Sequence, residues 1–120
     1  MIDDDVDTVE VFCEYLDIKN ITVLGRGYSG KDAIDLYEKL MPDIVLLDIM
    51  MPEYDGFYAL EQIKKINPEA KVIMVTADRT YDEERMLRLR VSAVIYKPYE
   101  IEGVIETIHK VYDGVSMIPQ

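Results

Sequence analysis

Apolar positions along the chain alternate between two spacings. Val6, Val9, Phe12, Cys13 and Leu16 recur at helical spacing, with Asp5 ahead of them as a candidate N-cap. Residues 21–24 read as a short strand, followed by a turn holding Gly25, Gly27 and Gly30. Ala33, Leu36, Tyr37 and Leu40 predict a second helix, which Pro42 stops. Residues 44–47 are apolar without alternation, the pattern of a strand covered on both faces in a parallel sheet. After a loop with Pro52 and Gly56, Ala59, Leu60, Ile63 and Ile66 predict a third helix that ends at Asn67-Pro68. Residues 72–75 form another buried strand, 81–89 a charged, weakly amphipathic helix, and 94–96 a short last strand. Ile101, Val104, Ile105, Ile108 and Val111 lie on one face of a closing helix.

Strands alternating with short helices imply right-handed crossovers, hence an α/β fold with a parallel sheet and helices on both faces. A length of 120 residues fits one domain. We expect it to span residues 1–113, with 114–120 as a tail.

Hydrophobic residues make up 49% of the chain, enough for a real core. The lone Cys13 excludes an internal disulfide framework and reads as a small buried core residue. The formal net charge of −11 argues against direct nucleic-acid binding, which calls for a basic face. No basic-then-apolar leader and no apolar run near ~20 residues is present, so a cytoplasmic protein without membrane partners is expected. His109, the single histidine, lies on the last helix far from the strand ends and reads as a surface or boundary residue.

In an open parallel sheet the site lies beyond the carboxyl ends of the strands. Four features fall there: Asp3-Asp4-Asp5, Asp48, Thr76, and Lys97-Pro98. Each has a bland reading alone, as an acidic cap, a strand-end carboxylate, a β-former or a solvated lysine. Together they bring carboxylates, a hydroxyl and an ammonium to one rim. Clustered carboxylates repel one another, and a hard cation such as Mg²⁺, with its oxygen ligands, is the natural remedy. The metal would neutralise an incoming phosphoryl group, Asp48 could accept it as a carboxylate nucleophile, Lys97 could pair with the acyl phosphate, and Thr76 could hydrogen-bond one oxygen.

The sequence resembles the CheY-like receiver domains of two-component response regulators from Ile2 to about Tyr112. The resemblance rests on the segment from Asp43 through Asp48 to Pro52, closing at Asp55-Gly56, on Val72 to Ala77, and on Tyr96-Lys97-Pro98-Tyr99. It implies a flavodoxin-like, doubly wound, five-stranded parallel sheet of order 2-1-3-4-5. It further implies Asp48 as phospho-acceptor and a sensor histidine kinase or phosphotransfer protein as phosphoryl donor. Mg²⁺ would be held by Asp4, Asp48 and the Met50 backbone carbonyl, with Asp3 acting through water. A cis Lys97-Pro98 bond is implied too. So is a signalling face on the fourth helix, last strand and fifth helix, near Arg88, Tyr96 and Tyr99, serving an unidentified downstream effector or a phosphorylation-dependent dimer.

Three other readings fit less well. A haloacid-dehalogenase-like phosphatase needs a proton-transferring acid two residues after the nucleophile, where Met50 stands. A flavodoxin-like cofactor binder needs a first loop that welcomes phosphate, and Asp3-Asp4-Asp5 would repel it. A receiver kept only as a docking module is disfavoured by the intact acids, Thr76 and Lys97.

Three features depart from the family pattern. Arg90-Val91 stand where Gly-Ala is usual. Val94 stands where an aromatic is usual, so loop movement over residues 76–80 is expected in place of a ring flip. Only Met1-Ile2 precede the first acids. A strand needs ~5–6 residues, so about three to five more apolar residues are expected upstream in the natural product.

Overall fold

The computed structural model describes residues 1–51, 55–77 and 83–114. Asp5 caps α1 (Val6–Ile18), its carboxylate accepting from the Thr8 amide at 3.3 Å. α1 buries Val9, Phe12, Cys13 and Leu16, while Val6, expected on the same stripe, is exposed. α2 (Gly30–Leu40) begins with a reciprocal cap. The Ser29 hydroxyl accepts from the Asp32 amide at 3.1 Å, and the Asp32 carboxylate accepts from the Tyr28 amide at 2.9 Å. Met41, in the left-handed region, closes α2 one residue before Pro42.

β1 (Val45–Asp48), α3 (Gly56–Ile66), β2 (Val72–Thr76), α4 (Glu83–Arg88), β3 (Ala93–Tyr96) and α5 (Ile101–Tyr112) then follow in order. The strands form a parallel sheet in the order β1-β2-β3, with Val45 opposite Val72 and Ile73 opposite Ala93. The expected helix over 81–89 appears as α4. Residues 81 and 82 lie outside the described residues, as do Pro52, 78–80 and 115–120.

Alternation along each strand splits the core in two. Val45, Leu47, Val72 and Met74 meet Ala33 and Tyr37 of α2, Leu60 and Ile63 of α3, and Met86 of α4. Leu46, Ile73, Val75 and Ala93 meet Phe12 and Leu16 of α1 and Val104, Ile108 and Val111 of α5. Helices therefore cover both faces of the sheet, as the apolar runs predict.

The doubly wound parallel architecture and a truncated first strand are as expected, and only the strand count differs. Among the described residues three strands form, and the first two expected strands are reduced to single parallel bridges, Ile2 with Leu47 and Ile2 with Gly27. The order is still 2-1-3-4-5 in outline, because Ile2 lies between Gly27 and β1. Residues 21–24 are not strand. A strand exists through its ladder, and Met1-Ile2-Asp3 reaches only as far as Gly27 and Leu47. A Cβ on Gly27, where Ile2 crosses it, would sit 2.6 Å from Ile2 Cδ1 and 2.8 Å from Asp32 Cβ, so a side chain there would force a neighbour to shift.

After α4 the chain turns through Arg90 at φ 56°, and the Val91 amide bonds back to the Met86 carbonyl at 3.1 Å. This left-handed position explains why glycine suits it and why a β-carbon costs energy. Arg90→Gly should therefore stabilise the fold by about 1 kcal/mol, read as a higher urea midpoint at unchanged slope. A lower midpoint would show that the arginine side chain outweighs the backbone cost.

Candidate functional site

The parallel register brings four chain segments to one end of the sheet. β1 ends at Asp48, opposite Val75 of β2, and β2 ends at Thr76, opposite Tyr96 of β3. Backbone hydrogen bonds fix the next residues: Ile49 N donates to Val75 O at 3.1 Å and Lys97 N to Thr76 O at 2.8 Å. The short N-terminal segment joins the same rim, since Asp48 N donates to Ile2 O at 2.9 Å and Asp3 N to Gly27 O at 3.2 Å.

The Lys97 ammonium reaches back over this rim. It donates to Asp3 Oδ2 at 2.9 Å and to Asp48 Oδ2 at 3.4 Å. Asp3 and Asp48 are buried, at 1% and 4% exposure, while Asp4 is exposed beside them. Carboxylate oxygens of Asp3, Asp4 and Asp48 lie within 4.8 Å of one another. The second oxygens of the buried pair are used as well: Asp3 Oδ1 accepts from the Asp5 amide at 3.0 Å and Asp48 Oδ1 from the Met50 amide at 3.2 Å. Thr76 is fully buried at the adjacent strand end. The Lys97-Pro98 bond is cis.

Electrostatics follow from this crowding. Burial, and then the neighbouring Asp3 charge, raise the Asp48 carboxyl above its ordinary value; Lys97 and the Met50 amide only partly oppose them. For Lys97, burial is the largest single effect and lowers it. The hydrogen bond to Asp3 and the charges of Asp48 and Asp3 together outweigh that burial and leave the ammonium raised. An all-oxygen cluster of three carboxylates within 4.8 Å suits a hard divalent cation such as Mg²⁺.

The residues expected at the site, Asp3, Asp4, Asp48, Met50, Thr76 and Lys97, thus fall on the same rim. Two features were missed. One is the Met50 amide, whose bond to Asp48 accompanies the carbonyl expected to matter. The other is the steric role of Gly56, whose amide donates to Ile49 O at 2.9 Å. A Cβ on Gly56 would collide with Asp48 O and lie 2.6 Å from Ile49 Cα, so the glycine lets α3 start against the Asp48 backbone. The Asp55-Gly56 pair carried a signal for it, since Asp55 is also the α3 cap, accepting from Tyr58 N at 2.9 Å. His109 is exposed and Cys13 buried, as expected. Tyr99 is less available than a surface contact: it is half-buried, its ring edge-on to Phe12 at 5.7 Å.

The family description "response regulator receiver domain" matches residues 1–109. This chain belongs to that family. Its receiver domain is 39% identical over 99 residues to the response regulator protein VraR of Staphylococcus saprophyticus, covering 82% of this chain and 47% of that protein. It is 37% identical over 93 residues to the chemotaxis protein CheY of Thermotoga maritima, covering 74% of this chain and 75% of that one. The chain thus spans about half the length of VraR and three quarters of that CheY. Among solved structures, CheY in the CheX-CheY-BeF3-Mg complex of Borrelia burgdorferi superposes with a TM-score of 0.86 at 28% identity, covering 92% of this chain and 85% of that one. The receiver domain is a phospho-accepting signalling domain of two-component systems. Among its described residues no helix is long and apolar enough to cross a membrane.

A raised Asp48 carboxyl sets a direction for stability against pH. The native state binds that proton more tightly than the unfolded chain, so the contribution is favourable below the ordinary value near 3.8 and is lost as pH rises through the higher native value. Asp48→Asn, which keeps an acceptor for the Met50 amide, should be more stable than the parent in metal-free buffer at neutral pH by about 1 kcal/mol. The gap should narrow as pH falls into the carboxylate range. Urea unfolding at several pH values in chelator checks it, and a gap that widens toward acid would contradict the assignment.

Proposed function

We propose that Asp48 is the phospho-acceptor and that Asp3, Asp4, Asp48 and the Met50 backbone carbonyl hold Mg²⁺, with Asp3 acting through water. The observation that carries this reading is the Lys97 ammonium lying between Asp3 and Asp48, with Asp4 completing the oxygen cluster. An Asp48 oxygen attacks the phosphorus of a phosphohistidine on a sensor kinase or phosphotransfer protein. The new P–O bond replaces the P–N bond, whose electron pair leaves with the imidazole. Lys97, already within 3.4 Å of Asp48 Oδ2, pairs with the acyl phosphate, and the Thr76 hydroxyl hydrogen-bonds one phosphoryl oxygen. When bound, Mg²⁺ offsets the carboxylate repulsion and the phosphoryl charge.

The domain promotes its own phosphorylation and only slow dephosphorylation. Met50, two residues after the acceptor, has a thioether that cannot take a proton from an attacking water. Its receiver unit spans residues 1–113 and its setting is cytoplasmic. Output passes to a downstream effector, or to a phosphorylation-dependent dimer, through α4, β3 and α5, where Arg88 is exposed and Tyr96 half-buried. Direct nucleic-acid binding is disfavoured by the net charge of −11. The expected movement over residues 76–80 falls partly outside the described residues.

Acetyl phosphate with Mg²⁺ should label the parent once, and Asp48→Asn should take no label by intact mass. Undiminished labelling of that variant would refute the assignment.

Millimolar Mg²⁺ should also raise the melting temperature, because a ligand bound only by the native state stabilises it by mass action. At a hundredfold excess over its dissociation constant the gain is about 2.7 kcal/mol. Asp4→Asn should blunt the response, and a melting temperature indifferent to Mg²⁺ in the parent would remove the metal site.

A further inference from the structure

α1 holds the segment leading into α5 at two matched points. Tyr99, two residues after Lys97, sets its ring edge-on to Phe12 at 5.7 Å. Three residues further along each segment, the Tyr15 hydroxyl donates to Glu102 Oε1 at 2.6 Å. That second tie is exposed, so water competes for it. The first is apolar and packs into the half of the core that holds Phe12, Leu16 and Ile105. Little else fixes this stretch. Lys97 N donates to Thr76 O at 2.8 Å, but among the described residues no backbone hydrogen bond joins residues 98–100 to another segment. Pro98 has no N–H to offer, and Glu100 precedes α5 without a side-chain cap. On the other side of the contact, α1 continues directly from the acids, since Asp3 Oδ1 accepts from the amide of its cap, Asp5, at 3.0 Å. Tyr99 thus joins the segment carrying Lys97 to the helix that follows Asp3. Burial raises its phenol above the ordinary value, and the charges of Lys97, Asp3 and Asp48 all reach it.

We propose that Tyr99 is a positioning residue for Lys97: packed on Phe12, it fixes the base from which the ammonium reaches Asp3 and Asp48. A lysine side chain is long and flexible, so its aim depends on where its backbone is held. The two carboxylates attract the ammonium but cannot hold it in place throughout. On the proposed function, on which this role rests, the charge at Asp48 is replaced by an acyl phosphate, and Lys97 must keep its place while its partner changes. The ring contact lies outside that exchange of partners and persists through it. Tyr99 therefore serves the site from within, rather than a partner from the surface.

The test begins with exchange of the Lys97 ammonium protons with water, followed by ¹⁵N NMR and assigned with Lys97→Met. It reads the contact with Asp3 and Asp48 without any phosphoryl chemistry. Tyr99→Leu should speed that exchange about tenfold. It should also slow labelling by acetyl phosphate with Mg²⁺ about tenfold, since a misplacement of roughly 1 Å can cost a hundredfold in rate. Tyr99→Phe keeps the ring contact and should match the parent in both. Phe12→Leu removes the other ring; it should reproduce Tyr99→Leu, and it decides the matter if that variant does not fold. Ile108→Val, in the same half of the core, should lower the urea midpoint and leave exchange and labelling unchanged, which separates position from stability. Unchanged exchange in the leucine variants would overturn the proposal, as would faster exchange with undiminished labelling. So would a Tyr99→Phe variant that behaves like Tyr99→Leu, or equal effects from Ile108→Val. If Asp48→Asn still takes label, the acceptor assignment fails, while the exchange measurements still decide whether Tyr99 holds Lys97.

Discussion

A single ammonium placed between two buried carboxylates is the constraint on which the rest of the structure turns. Asp3 and Asp48 come from chain segments forty-five residues apart and meet with both carboxylates buried. Lys97 lies forty-nine residues further on and reaches both. Removing Lys97 would leave two buried carboxylates uncompensated, which is far costlier than the net worth of either pair. Each of the three must therefore be delivered to the rim by something rigid. β1 delivers Asp48, β3 delivers Lys97, and the bridges of Ile2 deliver Asp3. β2 lies between β1 and β3, and its apolar residues fill both halves of the core, so it spaces the acid from the base.

The same rim explains why the site carries two kinds of hydrogen bond. Side-chain oxygens facing Lys97 are charge-paired, whereas the opposite oxygens accept from the backbone amides of Asp5 and Met50. Those amides fix each carboxylate's rotation, so the oxygens that face the ammonium are the ones left for a cation or a phosphoryl group. Gly56 belongs to this arrangement although it touches no ligand. By admitting α3 against the Asp48 carbonyl, it holds the loop whose Met50 amide orients the acceptor.

Much of this was legible in the sequence, and the boundary has a physical cause. The residues at strand ends were readable because an apolar run followed by a carboxylate, a threonine or a lysine marks where a buried strand meets the rim. Helix stripes were readable for the same reason, except at positions such as Val6 and Ile66, which sit at the ends of their helices and face water. Residues 21–24 were not readable, since their pattern is strand-like and their state depends on a neighbour that the pattern cannot supply. The steric demand at Gly56 left no periodic trace, since it arises from a backbone approach between segments, and only the neighbouring cap residue Asp55 marked the place.

Charge closes the argument. Three carboxylates against one ammonium leave the rim two charges negative, inside a chain of net charge −11. A phosphoryl group adds roughly −1.5 to −2 more. With Asp48 as the proposed acceptor, such a site would repel its substrate unless a divalent cation restored balance, and the burial and Asp3 charge that raise the Asp48 carboxyl would favour that cation. On the proposed reading, the raised carboxyl and the affinity for a cation have one origin. Loosening the rim to relieve the repulsion would weaken both, which is why its geometry is held by strands, by Lys97 and by backbone amides at once.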